Sequence, residues 1–285
     1  MIYIFLSICC SITVSIMLKL AKRYHIDVYQ AVVWNYSTAI LLSWLLLKPQ
    51  FGHLQALPVL SYTFLGLLLP LIFIVLGVSV KLSGIVRTDI AQRLSLLISV
   101  VAAFLLFGEN INSLKLVGII LGFVAIICTV PWQKQGEKRT VPANAWIYLL
   151  VVFAGFGIID ILFKQIAASK SVNYNTSLFF VFVLAFIFSL IGLVYQVATK
   201  KMRFSWPHIL IGWALGIVNF GNILFYLKAL KYFANQPSTV FSAMNIGVIV
   251  VGALTGLIIF KEKLSLLNKA GIAIAIVAVI IMARS

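Results

Sequence analysis

Residues 105–130 read LLFGENINSLKLVGIILGFVAIICTV and residues 258–283 read IIFKEKLSLLNKAGIAIAIVAVIIMA, and together they decide the fold. At an offset of 153 they match at eight of 26 positions. Apolar coincidences such as Val124 with Val277 are cheap in a hydrophobic chain. Phe107 with Phe260, Glu109 with Glu262 and Gly118 with Gly271 are not. Weaker matches extend the repeat, with Lys19 against Lys164 at an offset of 145 and Gly66 against Gly216 at 150.

Outward from these stretches the chain is a series of apolar runs. Interruptions by polar residues and proline mark ten of them, at 2–20, 29–47, 58–80, 84–107, 114–131, 144–168, 176–198, 207–230, 236–260 and 266–283. A span takes about 20 apolar residues, so ten would consume about 200 positions and leave no soluble domain. A composition 63% hydrophobic and 10% charged over 285 residues agrees. The expected fold is therefore an all-α membrane protein. Unbroken apolar runs argue against a β-barrel, whose strands alternate. Residues 2–18 are expected to remain as the first span, since no basic segment precedes them and no small-residue cleavage site follows.

The longest polar stretch, around 132–143, divides the spans five and five. The expected organisation is a first five-helix repeat at 1–131, a connection at 132–143 and a second repeat at 144–285. Because five is odd, the second half must enter the membrane from the opposite side, giving ten transmembrane helices as two inverted five-helix repeats. Repeats of this kind point to transport.

Two five-helix halves, each ending in a helix, a Glu-containing turn and a Gly-bearing helix, resemble the EamA family of the drug/metabolite transporter superfamily. The residues that carry the resemblance are Phe107-Gly108-Glu109 to Gly118, and Ala229-Leu230-Lys231-Tyr232 through Pro237 to Glu262 and Gly271. It implies a bacterial inner-membrane carrier of small metabolites such as amino acids, an exporter, working by alternating access around a central cavity. The motifs identify a fold and leave the substrate open. Small multidrug resistance proteins, a related group, carry an acid in the first helix. Here no acid precedes Asp27, which weakens a cation/proton antiport reading.

Charged and amide residues inside spans are costly, so they are the candidates for substrate binding. Asp89 and Arg93 lie four apart, acid first, on one helical face, with Gln92 beside them. Asp160 and Lys164 repeat that spacing, preceded by Gly155 and Gly157, which permit close helix approach. Asn219 and Asn222 lie three apart, and Asn245 aligns with Gln92 at the offset of 153. An excess of cations and amides suits a carboxylate-bearing or zwitterionic solute. The bland alternative is static ion pairs and amides that join helices. Glu109 and Glu262, at span ends, read as turn and capping residues, and Gly118 with Gly122 as a helix-packing pair.

No metal-ligand spacing, phosphate loop or nucleophile triad is present, so no cofactor and no catalytic residue is expected. Cys9, Cys10 and Cys128 all fall in apolar runs and read as buried thiols. The net charge of +16 lies mostly in short connections, which points to membrane orientation and away from nucleic acid. Odd-numbered connections hold twelve Lys and Arg against five in the even ones plus the C-terminus, placing both termini outside, whereas the resemblance implies both inside. The expected partners are a small-molecule substrate and the lipid bilayer. A coupling proton and a homodimer stay open, as do the rival readings of a cationic-drug exporter, a membrane-embedded lipid-processing enzyme and a partner subunit.

Overall fold

In lipid a backbone must satisfy its own hydrogen bonds, and helices do so within one segment. A computed structural model describes residues 1–24, 26–50, 58–83, 85–110, 112–129, 144–169, 172–258 and 265–284. The connection at 132–143, His25, His53 and the Phe260 to Glu262 motif lie outside the described residues, as does the side chain of Lys19.

Every described element is helical. In order they are α1 (Ile2–Arg23), α2 (Val28–Leu42) continued by a π-helical turn (Ser43–Leu47), α3 (Val59–Ser83), α4 (Ile85–Leu94), α5 (Leu96–Leu105), α6 (Ser113–Thr129), α7 (Ala145–Ala168), α8 (Tyr174–Ala198), α9 (Pro207–Tyr232), α10 (Pro237–Ile258) and α11 (Leu266–Arg284). Among the described residues seven segments are long and apolar enough to cross a membrane: Val28–Leu47, Val59–Val80, Arg87–Leu105, Ala145–Ala168, Tyr174–Ala198, Pro207–Tyr232 and Pro237–Thr255. Ile2–Leu18, Ser113–Cys128 and Leu266–Met282 are apolar but shorter. Length and composition thus fit a multi-pass α-helical membrane protein.

Local chemistry sets the ends. Asp27 caps α2 by accepting from the Gln30 N–H (3.0 Å), and Asn173 caps α8 by accepting from the Asn175 N–H (3.3 Å). Proline opens α9 and α10, where a missing N–H costs nothing. The fourth apolar run, expected as one span over 84–107, is two helices that meet at Ser95. The Ser95 hydroxyl bonds the Gln92 carbonyl (2.6 Å), and the Ser95 carbonyl receives the Ile98 and Ser99 N–H groups (3.0 and 3.3 Å) and the Ser99 hydroxyl (3.4 Å). These hydroxyls compete for the helix's own carbonyls where the two helices meet.

The chain forms two compact units, each drawing on both halves of the sequence. The first comprises Met1–Cys9, Val75–Ile161 and Tyr232–Ser285, and the second Cys10–Ile74 and Leu162–Lys231. In the first, α6 packs along α11, and α10 packs on α5, α6 and α11. Gly118 receives Met282 and Ala278 of α11, and Gly122 receives Ile246 of α10, so the pair serves packing inside the unit.

In the second unit α2 and α8 run antiparallel, with Tyr29 bonded to the Ser189 carbonyl at one end and Asn175 to the Leu47 carbonyl at the other. Each helix clamps the connection that follows its partner. Gln30, in the first turn of α2, donates to the Arg203 carbonyl (2.8 Å) and accepts from the Ser205 N–H (3.1 Å). Thr176, in the first turn of α8, donates to the Gln50 carbonyl (3.3 Å) and accepts from the Gln50 N–H (3.0 Å). Two close approaches add to this. A Cβ on Gly66 of α3 would lie 2.6 Å from Leu184 Cβ and 3.2 Å from the Ala185 nitrogen. One on Gly216 of α9 would lie 2.6 Å from the Asn35 carbonyl oxygen.

Candidate functional site

Helix α4 places five polar side chains in ten residues, Arg87, Thr88, Asp89, Gln92 and Arg93, and meets α5 at Ser95. The four-residue spacing brings Arg93 Nε to 3.4 Å from Asp89 Oδ1. This is an ion pair without a hydrogen bond, since Arg93 Nε is buried and has no hydrogen-bond partner. The pair is half open to its surroundings, with side-chain exposures of 17% for Arg93 and 41% for Asp89. Its members attract one another while retaining unused donors and acceptors.

One turn beyond Ser95, α7 arrives. Gly157 makes room for it, because a Cβ there would lie 2.6 Å from Ile98 Cβ, and three residues on Asp160 Oδ2 accepts from the Ser99 hydroxyl at 2.7 Å. The expected role of Gly157 in close approach is thus realised against α5. From Asp89 to Asp160 the first unit carries a polar stripe of Asp89, Gln92, Arg93, Ser95, Ser99 and Asp160 on α4, α5 and α7. Asn245 belongs to the same unit, on α10, and donates to the Phe241 carbonyl of its own helix (3.1 Å). One and two turns before it, the buried hydroxyls of Ser242 and Thr239 have no hydrogen-bond partner. Sequence reading missed both, although their three-residue steps back from Asn245 are the signal that finds them.

The other three expected residues belong to the second unit. Lys164, on α7, is 2% exposed, and its neighbour Phe163 meets Tyr226 edge to face at 6.0 Å. Asn219 of α9 donates to Asn35 Oδ1 at 3.1 Å, a buried amide pair that bonds α9 to α2 just past the close approach at Gly216. Asn222 lies three residues on in α9. The structure therefore brings Asp89 together with Arg93, Asp160 with Ser99, and Asn219 with Asn35.

A second charged cluster, only half expected, lies at the other end of α5. Gly108, at φ +64°, turns the chain so that the Glu109 N–H returns to the Ala103 carbonyl (3.1 Å). The Glu109 carboxylate then meets three donors: Lys115 Nζ (2.7 Å) and the Ser238 hydroxyl (2.6 Å) on Oε1, and the Ser238 N–H (2.8 Å) on Oε2. Side-chain exposures of 4% for Lys115 and 1% for Glu109 make it a buried pair. Glu109 thus caps the N-terminus of α10, where helix dipole and free N–H groups favour an anion. Its partner Ser238 is 129 positions away, beyond what local reading reaches.

Among the described residues no cluster of His, Cys, Asp and Glu is arranged to hold a metal ion. No family model matches the chain. A crystal structure described only as that of a protein covers 98% of this chain and 94% of its own length, with a TM-score of 0.74 at 13% identity, a likeness of fold alone. An uncharacterized protein of Haemophilus influenzae is 41% identical over 280 residues, which cover 96% of this chain and 94% of the relative. The chain belongs to the family of that Haemophilus influenzae protein.

Proposed function

We propose that the chain is an integral membrane carrier for a small carboxylate-bearing or zwitterionic metabolite, an exporter of the bacterial inner membrane, built as ten spans in two inverted repeats of the drug/metabolite transporter kind. Reciprocal geometry in the second unit supports the inverted repeat. Gln30 and Thr176 are 146 positions apart, and the backbones they clamp, Arg203 and Gln50, are 153 apart. Among the described residues the non-glycine positions with positive φ are Lys48 and Lys200, 152 apart, just after the α2 and α8 segments. Gly66 against Leu184 and Ala185 is matched, at an offset of 150, by Gly216 against Asn35. An antiparallel α2 and α8 is what two halves of odd span number require.

The observation that carries transport is the Asp89–Arg93 pair of α4, an unsaturated ion pair in a membrane-length segment. Burying charge is expensive, so ionisable side chains kept inside a membrane segment are default candidates for a solute site. A carboxylate entering here gains Arg93 as a charge-assisted donor, while Asp89 and Asp160 receive an ammonium group. The substrate-binding candidates on this reading are Asp89, Gln92, Arg93, Asp160 and Asn245 in the first unit, joined by Ser99, and Lys164, Asn219 and Asn222 in the second.

The test is a thermal-shift screen of purified protein against amino acids, organic acids, nucleotides and lipophilic cations, because a ligand that binds the folded state raises its apparent stability. Stabilisation by amino acids or organic acids is expected. Stabilisation by lipophilic cations alone overturns the carboxylate reading in favour of drug export, and product formation from a lipid donor overturns transport in favour of an enzyme.

A further inference from the structure

The α8–α9 connection of the second unit has no part in the polar stripe, yet it is built as firmly as any helix end. After α8, Lys200 at φ +56° reverses the chain, and the N–H groups of Lys201 and Met202 both return to the Gln196 carbonyl (3.0 and 3.2 Å). The buried Gln30 amide then fixes Arg203 and Ser205 from the start of α2. From this held backbone Lys200, Lys201 and Arg203 all extend as exposed residues. Exposed aromatic rings surround them. Lys201 Nζ lies 5.4 Å from the Tyr195 ring centroid, and Phe204 meets Trp206 edge to face at 5.3 Å, with Trp206 74% exposed.

No acidic residue occurs between Asp160 and Glu262. Asp27, the acid of the second unit, is engaged as the cap of α2. Three cations in four residues therefore have no carboxylate in their own stretch of chain. Exposed Trp, Tyr and Phe belong to the boundary between hydrocarbon and headgroups, and basic side chains at that depth meet lipid phosphates.

We infer that this end of the second unit binds the headgroup of an anionic phospholipid, with Lys200, Lys201 and Arg203 on the phosphate and Tyr195, Phe204 and Trp206 seated among the upper acyl chains. The inference rests on the membrane reading and is independent of transport. A loop already fixed by Gln30 and by the Gln196 carbonyl loses little freedom on binding, so it selects a lipid better than a flexible basic tail would.

The experiment compares the full-length protein in phosphatidylcholine nanodiscs with and without phosphatidylglycerol, reading melting temperature and, by native mass spectrometry after transfer to detergent, the retained lipid. Phosphatidylglycerol is expected to be retained over phosphatidylcholine and to raise the melting temperature, with both effects reduced by high salt. The triple variant K200Q/K201Q/R203Q is expected to lose retention by about tenfold or more, since each exposed cation contributes separately to binding an anionic surface. Lys231→Gln, at the opposite end of the unit where Lys231 lies over Tyr174, is expected to retain lipid as the parent does. Equal retention of the two lipids, or undiminished retention by the triple variant, overturns the inference. So does full stabilisation by inorganic phosphate or glycerol phosphate in phosphatidylcholine alone, which would make the loop a site for a free anion.

Discussion

The Glu109–Lys115–Ser238 cluster and the Asp89–Arg93 pair occupy the same unit, each an acid and a base in an apolar chain, and they differ in how completely their hydrogen bonds are used. Glu109 has three donors at 2.6–2.8 Å and is sealed. Arg93 has an ion pair at 3.4 Å and an Nε without a hydrogen bond. A saturated buried carboxylate holds helices together and has nothing left to offer a ligand. An unsaturated pair keeps the energy of its missing bonds available to whatever supplies them. By this criterion we assign Glu109 to structure and propose Arg93 for function, although their residue types alone rank them equally.

The largest effect that could break the comparison is at Glu109. Glu109→Gln leaves the Lys115 ammonium buried without its counter-charge and is expected to cost about 3–5 kcal/mol, measured by unfolding in detergent micelles. Adding Lys115→Met should recover most of that loss, because an uncharged pair no longer needs compensation. If Glu109→Gln melts with the parent, the cluster is not the fastener its geometry describes. Ser238→Ala removes the hydroxyl and keeps the N–H, so about 1.5–3 kcal/mol is expected from the same melts, as for one hydrogen bond to a charged group.

Arg93→Gln sharpens the contrast from the other side. Its melting should change by no more than about 0.5 kcal/mol, since no hydrogen bond from Nε is lost, while solute flux falls about tenfold or more. Equal loss of fold and flux would return Arg93 to the structural class. Asn219→Ala, which breaks the buried amide pair with Asn35, should cost about 0.6 kcal/mol by the same unfolding, as is usual for helix-joining amides in membranes.

Positions of the helices are legible in the sequence because length and unbroken apolarity have few other solutions in lipid. The division at Ser95 is not, because it depends on which carbonyl each serine hydroxyl chooses, although the polar α4 and the apolar α5 on either side of it differ in composition. At the candidate site the Asp89–Arg93 pair follows from a spacing of four on one helix. The Ser99–Asp160 bond joins residues 61 positions apart and depends on Gly157 admitting α7, so it needs the fold. The same holds for Gln30 and Thr176, ordinary polar residues in their helices until the loops they clamp are seen.

The most direct test of the account is solute counterflow in proteoliposomes, with the parent protein and Arg93→Gln reconstituted at equal folded amounts and challenged with a panel of labelled amino acids and organic acids. The account predicts that the parent accelerates at least one carboxylate-bearing solute and that Arg93→Gln loses that flux while remaining folded. A folded parent that accelerates none of them, or an Arg93→Gln protein as active as the parent, would contradict it.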